Sequence, residues 1–192
     1  IMEVLACALR GAIVPSKGNM LYVSDFAGIE ARVVLWLAGD EKGLNLFRRG
    51  EDPYCDMASD IYDRPITKKD KTERQLGKAV ILGASYGLGA AKFVSVAASY
   101  GVTIDDEFSQ RVIDAYRSKY WKVKQLWYDL EDAAFQAMNQ KGRVVRCGKL
   151  GWIREETFLY MILPNGRRLA YPFPELRERE TPWGAMKMAL TF

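Results

Sequence analysis

Four residues of one predicted helix carry side chains suited to binding a phosphorylated ligand. Arg74, Lys78, Leu82 and Tyr86 recur at every fourth position. At 3.6 residues per turn, such positions stay on one slowly drifting face of a helix. Two cations one turn apart, followed by an apolar residue and a phenol, suit a ligand with a phosphate tail and a planar base. The same pattern is typical of a basic amphipathic surface helix with Tyr86 in the core, and the helix alone favours that second interpretation.

A second stretch carries two carboxylates. Residues 21–24 (LYVS) predict a short strand, which Asp25 follows directly, and Glu30 lies on the predicted helix after it. An aspartate at the end of a buried strand is held rigidly beside a cleft. Mg²⁺ prefers carboxylate, carbonyl and water oxygens, so the layout suits a magnesium site. From the residues alone, Asp25 could equally cap the following helix, and Glu30 could be a solvated helix residue.

The elements that must position these residues are mostly helical. Apolar periodicity and capping signals predict helices over 29–37, 41–49, 54–62, 90–100, 106–120 and 123–140. The period changes after residue 142, where 144–145, 158–163 and 169–173 predict strands, with prolines interrupting the tail. Helices followed by a small sheet indicate an α+β fold.

Composition limits the classes of function. The 192 residues carry a net charge of +4, which is compatible with nucleic acid but not specific to it. Three widely spaced cysteines predict no disulfide framework and a reducing, cytoplasmic setting. The absence of histidine excludes Ser-His, Cys-His and His-zinc chemistry within this segment. No apolar run approaches the roughly 18 residues of a membrane span, so we expect no membrane partner.

Taken together, the two stretches resemble a known family. DFAGIEAR (25–32) and R-x3-K-x7-YG (74–87) resemble motifs A and B of the family A DNA polymerases, those like bacterial DNA polymerase I. The motifs occur in the family's order and at a familiar separation, and the resemblance runs from about residue 10 to about residue 120. It implies a DNA-directed DNA polymerase that transfers a nucleotide from a dNTP to a primer 3′-OH with two Mg²⁺ ions. The implied partners are primer–template DNA and dNTPs.

The resemblance assigns roles to the first motif and to the cations. It implies that Asp25 binds both metal ions and that the backbone carbonyl of Phe26 binds one of them. Arg74 and Lys78 would grip the triphosphate, and Lys78 would protonate the departing pyrophosphate. Glu30 would be the steric gate beneath the incoming sugar, which favours deoxyribonucleotides.

Other positions match the family less closely. Tyr86, hydrogen-bonded to Glu30, and Gly87 would lie against the templating base pair, and Arg10 would lie near the primer end. Leu82 stands where the family usually has an aromatic residue, which puts the grip on the sugar in doubt. Tyr54 stands where many relatives have histidine, and its phenol could still donate to a phosphate oxygen.

The implied organisation is a polymerase fragment. Residues 1–40 would be the part of the palm with motif A, 41–120 the fingers with motif B, and 121–192 a helix, a phage-type hairpin insertion and a return toward the palm. The family's third motif, a His-Asp pair, and the thumb are missing from this sequence. We therefore predict that this segment alone does not extend a primer and requires the remainder of the polymerase chain.

Two alternatives stay open at this point. A single-subunit RNA polymerase shares the aspartate and the R-x3-K element, although Glu30 and the intact Tyr-Gly pair disfavour it. The other alternative is a non-catalytic nucleic-acid-binding domain that keeps the polymerase fold.

Overall fold

The computed structural model describes residues 8–9, 11–181 and 184–192. Seven helices have their bounds within these ranges: α1 Ile29–Ala38, α2 Glu41–Arg48, α3 Pro53–Tyr62, α4 Lys71–Ala84, α5 Ala90–Ser99, α6 Asp106–Lys119 and α7 Trp121–Asn139. The strands are β1 Val145–Cys147, β2 Leu150–Glu155, β3 Phe158–Ile162, β4 Arg168–Pro172, β5 Glu175–Glu180 and β6 Met186–Thr191. This architecture confirms the predicted α+β class. None of the helices in the described ranges is long and apolar enough to cross a membrane.

Helix ends follow local capping chemistry. Helix α1 ends at Gly39, whose φ of 65° is the left-handed conformation that glycine adopts without strain. Helix α3 begins at Asp52, whose carboxylate accepts hydrogen bonds from the N–H groups of Tyr54 and Cys55. Helix α6 begins at Asp105 in the same way, with Phe108 N–H as the donor. These three boundaries agree with the sequence prediction to within a residue or two.

Helix α4 lies at the centre of the helical core. Its buried face packs against α3, α5 and α6, and the fully buried side chains of this core include Leu76, Val80, Met57, Phe93, Val112 and Ile113. Helices α3 and α4 approach closely at Gly77, where an added Cβ would lie 2.1 Å from the backbone oxygen of Tyr54. The backbones of the two helices are therefore in contact, and no side chain fits between them at this position.

A second core joins α7 to the first sheet. The sheet order is β1-β2-β3-β4, with every neighbouring pair antiparallel. Ala133 and Ala137 of α7 are buried against Trp152 and Leu159 of the sheet. Strand β2 was not predicted from the sequence, since Gly151 and the charged residues near it weaken the strand signal.

The tail forms a second sheet that sequence analysis also missed. Strands β5 and β6 pair in antiparallel register from Glu175 opposite Thr191 to Glu180 opposite Met186. The prolines that were predicted to break this region lie at the end of β4, between strands, and in the stretch 182–183 outside the described residues. The charged, exposed character of β5 hides the alternation that normally identifies a strand.

The strand predicted over 21–24 is not present. These residues have no regular secondary structure, and Tyr22 and Val23 are 87% and 96% exposed. A strand needs a neighbour to satisfy its N–H and C=O groups, and no described strand pairs with this segment. Asp25 therefore follows an exposed, irregular segment and not a buried strand.

Candidate functional site

The two motifs meet at a cleft between the start of α1, the start of α3 and α4. The cleft is open to solvent and has an empty volume of about 620 Å³. Its lining comprises Ala27, Gly28, Arg32, Phe47, Gly50, Glu51, Asp52, Pro53, Tyr54, Lys68 and Arg74. Residues from both motifs thus share one concave surface with a segment, 50–54, that lies between them in the sequence.

Arg74 is fixed within this cleft by two neighbours. Its Nε donates a hydrogen bond of 2.8 Å to Oδ2 of Asp52, and its guanidinium carbon lies 5.3 Å from the centre of the Tyr54 ring. The hydrogen bond to Asp52 raises the pKa of Arg74. Burial by itself raises the pKa of Asp52, but the bonds from Arg74 and from backbone N–H groups outweigh it, so that this pKa stays below its ordinary value. Both groups are therefore charged at neutral pH.

Glu30 and Tyr86 meet at a second, more apolar cleft. This cleft has an empty volume of about 760 Å³, and both residues contribute to its lining with Val33, Val34 and Ser85, among others. The nearby Glu30 carboxylate raises the pKa of the Tyr86 phenol, because ionising the phenol would place two negative charges together. Tyr86 is 74% exposed, so the interpretation of Tyr86 as a core residue is wrong.

The end of α4 sets the position of Tyr86. The helix ends at Ala84, and the N–H groups of Tyr86 and Gly87 bond to the carbonyl groups of Gly83 and Ala84 at 3.2 and 3.0 Å. Gly87 has a φ of +76°, a conformation that residues with a side chain rarely adopt. The Tyr-Gly pair thus forms a tight turn that leaves the phenol exposed beside Glu30.

Lys78 and Leu82 lie on the outer face of α4. Both are half-buried, whereas Ala79 and Val80 between them are buried in the core. Arg74, Lys78 and Leu82 do share one helical face, as their spacing predicts. Among the described residues, no carboxylate forms an ion pair with Lys78, in contrast to Arg74 and its partner Asp52.

Asp25 and Phe26 lie outside the lining of both clefts. Both residues are exposed, Phe26 by 78%. The interpretation of Asp25 as a helix cap is wrong, because Gly28 occupies the capping position of α1 and no side chain caps that helix. Within the described ranges, no group of three or more Asp, Glu, Cys or His side chains is placed to hold a metal ion. The described residues therefore do not make up a magnesium site by themselves, and Asp25 is a single accessible carboxylate.

The positions of two further arginines, Arg10 and Arg32, are as follows. Arg10 lies outside the described residues. Arg32 donates from Nε to the carbonyl of Ala27 at 2.9 Å, and its guanidinium lies 4.3 Å from the centre of the Phe47 ring. These contacts brace the turn between Asp25 and α1.

The contact of Asp52 with Arg74 in the first cleft was not predicted from the sequence. The position of Asp52 before Pro53 identified only the start of α3. Its contact with Arg74 joins residues that are 22 positions apart in the chain. No local pattern in the sequence signals such a pairing.

Comparison with known proteins identifies the family. The model of DNA polymerase family A matches residues 3–149. A DNA polymerase of Bacillus phage SP02 is 36% identical over 191 residues, which cover 98% of this chain and 29% of the phage protein. DNA polymerase I of Aquifex aeolicus is 30% identical over 137 residues, covering 71% of this chain and 23% of that protein. The thermostable DNA polymerase I of Thermus aquaticus is 29% identical over 116 residues, covering 60% and 13% respectively.

The chain belongs to DNA polymerase family A. It spans less than a third of the length of each of these three relatives. The similarity to the phage polymerase extends through the sheet region, beyond residue 149 where the family match ends. This agrees with the phage-type resemblance recognised in the sequence.

Proposed function

We propose that the protein to which this chain belongs is a DNA-directed DNA polymerase that adds dNTPs to a primer 3′-OH on a DNA template. The observation that carries the proposal is the meeting of Glu30 of α1 with Tyr86 at the end of α4 in the lining of the second cleft. It joins the two motifs at the positions where the family resemblance puts the sugar gate and its tyrosine partner. The family match and the polymerase relatives favour this function over a single-subunit RNA polymerase.

Arg74 and Tyr54 of the first cleft, together with Lys78 one turn further along α4, form the proposed triphosphate site. Arg74 offers a planar fork to phosphate oxygens, whereas Lys78 offers a compact point charge. Burial raises the pKa of Tyr54, so its hydroxyl stays protonated and can donate to a phosphate oxygen. Lys78 is also proposed to give a proton to the departing pyrophosphate, as a general acid.

The second cleft is the proposed site of the sugar and base. Glu30 is proposed to occupy the space where a 2′-hydroxyl would enter. Leu82, four residues before Tyr86 and outside the lining of this cleft, is proposed to provide an apolar surface in place of the family's aromatic ring. Tyr86 and Gly87 are proposed to contact the templating base pair, and Arg10 the primer end of the DNA.

This chain is proposed to supply only some of the magnesium ligands. When bound, Mg²⁺ lowers the charge on the attacking oxygen and on the leaving pyrophosphate. We propose Asp25 and the carbonyl of Phe26 as ligands, with the remaining ligands supplied by the rest of the polymerase chain. For this reason we expect the 192-residue segment alone to show no primer extension.

Primer extension by the full-length polymerase tests the proposal. We expect extension with dNTPs and Mg²⁺ on a primed DNA template, and none by residues 1–192 alone. Equal or better extension with ribonucleotides would instead support an RNA polymerase. Binding of primer–template that weakens steeply with salt, without any extension, would support the non-catalytic alternative.

Glu30, the proposed steric gate beneath the sugar, provides a separate prediction. Replacing Glu30 with alanine removes the carboxylate beside Tyr86 and opens space for a 2′-hydroxyl. We expect the ratio of kcat/KM for a ribonucleotide over the matching deoxyribonucleotide to rise about tenfold, which is roughly 1.4 kcal/mol of discrimination. Single-nucleotide incorporation measured with both sugars checks this.

A matched variant guards against a general loss of activity. Glu107→Ala also removes an exposed glutamate from the first turn of a helix, in this case α6. It should leave the sugar ratio unchanged. An unchanged ratio in Glu30→Ala as well would show that Glu30 does not select the sugar.

A further inference from the structure

We propose that Asp52 is a positioning residue that orients Arg74 for binding the triphosphate. It accepts a hydrogen bond from Nε of the guanidinium, so that the two outer nitrogens can donate to a ligand in the cleft. This inference rests on the proposed function, since it takes Arg74 to be a triphosphate ligand. The family resemblance gave no role to Asp52.

The two carboxylate oxygens of Asp52 have separate partners. Oδ1 accepts from the N–H groups of Tyr54 and Cys55 at 3.0 and 3.3 Å, in the first turn of α3. Oδ2 accepts from Nε of Arg74 at 2.8 Å. Rotating the carboxylate would break the capping bonds, so the helix itself fixes the direction in which Oδ2 points. Asp52 is therefore a rigid anchor, with only 13% of its side chain exposed.

The planar guanidinium of Arg74 is contacted along one edge by Asp52 and on one face by the Tyr54 ring. An arginine side chain has five N–H donors, and the bond to Asp52 uses the one on Nε. The Tyr54 ring covers one face of the guanidinium at 5.3 Å. Within the described residues, the two outer nitrogens make no other hydrogen bond, so their four donors suit two oxygens of a phosphate. Because the guanidinium is already ordered, less side-chain entropy is lost when a phosphate binds.

The charge of Asp52 creates an opposing effect that an experiment can resolve. A carboxylate near the phosphate site repels the ligand and competes with it for Arg74. The neighbouring Glu51 is paired with Arg49 at 2.6 and 2.9 Å, so its charge is largely balanced. If competition dominates, neutralising Asp52 lowers the KM for dNTP. If positioning dominates, as we propose, neutralising Asp52 raises it.

Asp52→Asn in the full-length polymerase separates these effects. The amide oxygen can still cap α3, but the amide N–H₂ then meets Arg74 as donor against donor, and Arg74 is released. We expect the KM for dNTP to rise about tenfold, which is the low end for losing a hydrogen bond to a charged group. The kcat should change by less than about twofold, since uniform binding is lost and not chemistry. Asp52→Ser, which keeps a capping oxygen but lacks the second oxygen, should give the same increase.

Two further variants separate positioning from a structural defect. Asp105→Asn alters the same kind of helix cap on α6, where no described cation pairs with the aspartate, and should leave KM unchanged. In an Arg74→Ala background, Asp52→Asn should raise KM no further, because Asp52 acts through Arg74. Thermal unfolding of Asp52→Asn should resemble that of Asp105→Asn.

The outcomes distinguish this inference from the proposed function. If Arg74→Ala raises KM but neither Asp52 variant does, or if either lowers it, the positioning role is overturned and the triphosphate site stands. Additive effects in the double variant also overturn it. If Arg74→Ala leaves KM unchanged, the proposed triphosphate role of Arg74 fails, and the positioning role fails with it.

Discussion

Replacing Asp25 with asparagine is expected to reduce primer extension by the full-length polymerase about 10³-fold or more, roughly 4 kcal/mol of transition-state stabilisation. The substitution removes the negative charge of a proposed magnesium ligand but keeps its size. Thermal unfolding should be almost unaffected, since Asp25 is exposed and does not cap α1. Single-turnover nucleotide incorporation, measured beside the thermal transition, checks both parts.

A matched control is available on another helix. Asp132 is an exposed aspartate of α7, and Asp132→Asn should extend primers at the parental rate. If Asp25→Asn also extends at that rate, Asp25 is not a metal ligand. If it loses activity and stability together, its role is structural.

Replacing Gly77 with alanine should have the largest effect on stability. The new Cβ would lie 2.1 Å from the backbone oxygen of Tyr54, far inside the roughly 3.5 Å of an ordinary contact. Because the atom it meets belongs to the backbone of α3, relief requires the two helices to separate. We expect a cost of about 3 kcal/mol, or a fall of about 6–12 °C in the transition of a cooperative unit of this size. Differential scanning calorimetry of the full-length polymerase measures it.

Gly83→Ala is the control within the same helix. There the new Cβ would meet a methyl group of the Leu88 side chain at 3.2 Å, and that flexible side chain can move. The better helix propensity of alanine offsets much of the crowding, so the change should stay within about 1 kcal/mol. A Gly77→Ala variant as stable as Gly83→Ala would show that α3 and α4 are not in backbone contact.

Local signals predicted much of the fold. Gly39, Asp52-Pro53 and Asp105 mark helix ends because capping depends on neighbouring residues only. The four-residue spacing placed Arg74, Lys78 and Leu82 on one face for the same reason. Their roles, like the boundaries proposed for palm and fingers, remain predictions.

Features that depend on distant partners were predicted less well. Residues 21–24 have strand-forming side chains, but no described strand pairs with them, so the propensity was not decisive. Strand β2 is stabilised by its neighbours β1 and β3 despite an interrupted local pattern. The contact between Asp52 and Arg74 likewise depends on how α3 packs on α4.

The backbone contact at Gly77 also has a mechanical consequence. Helices α3 and α4 touch so closely that a rotation of one has to carry the other, and Asp52, Tyr54 and Arg74 then travel as one rigid body. The cleft that Glu30 and Tyr86 line instead lies between α1 and the far end of α4, two parts that can shift relative to each other. A hinge motion of the α3–α4 pair would therefore preserve the arrangement of the proposed triphosphate-binding residues and change the distance between Glu30 and Tyr86.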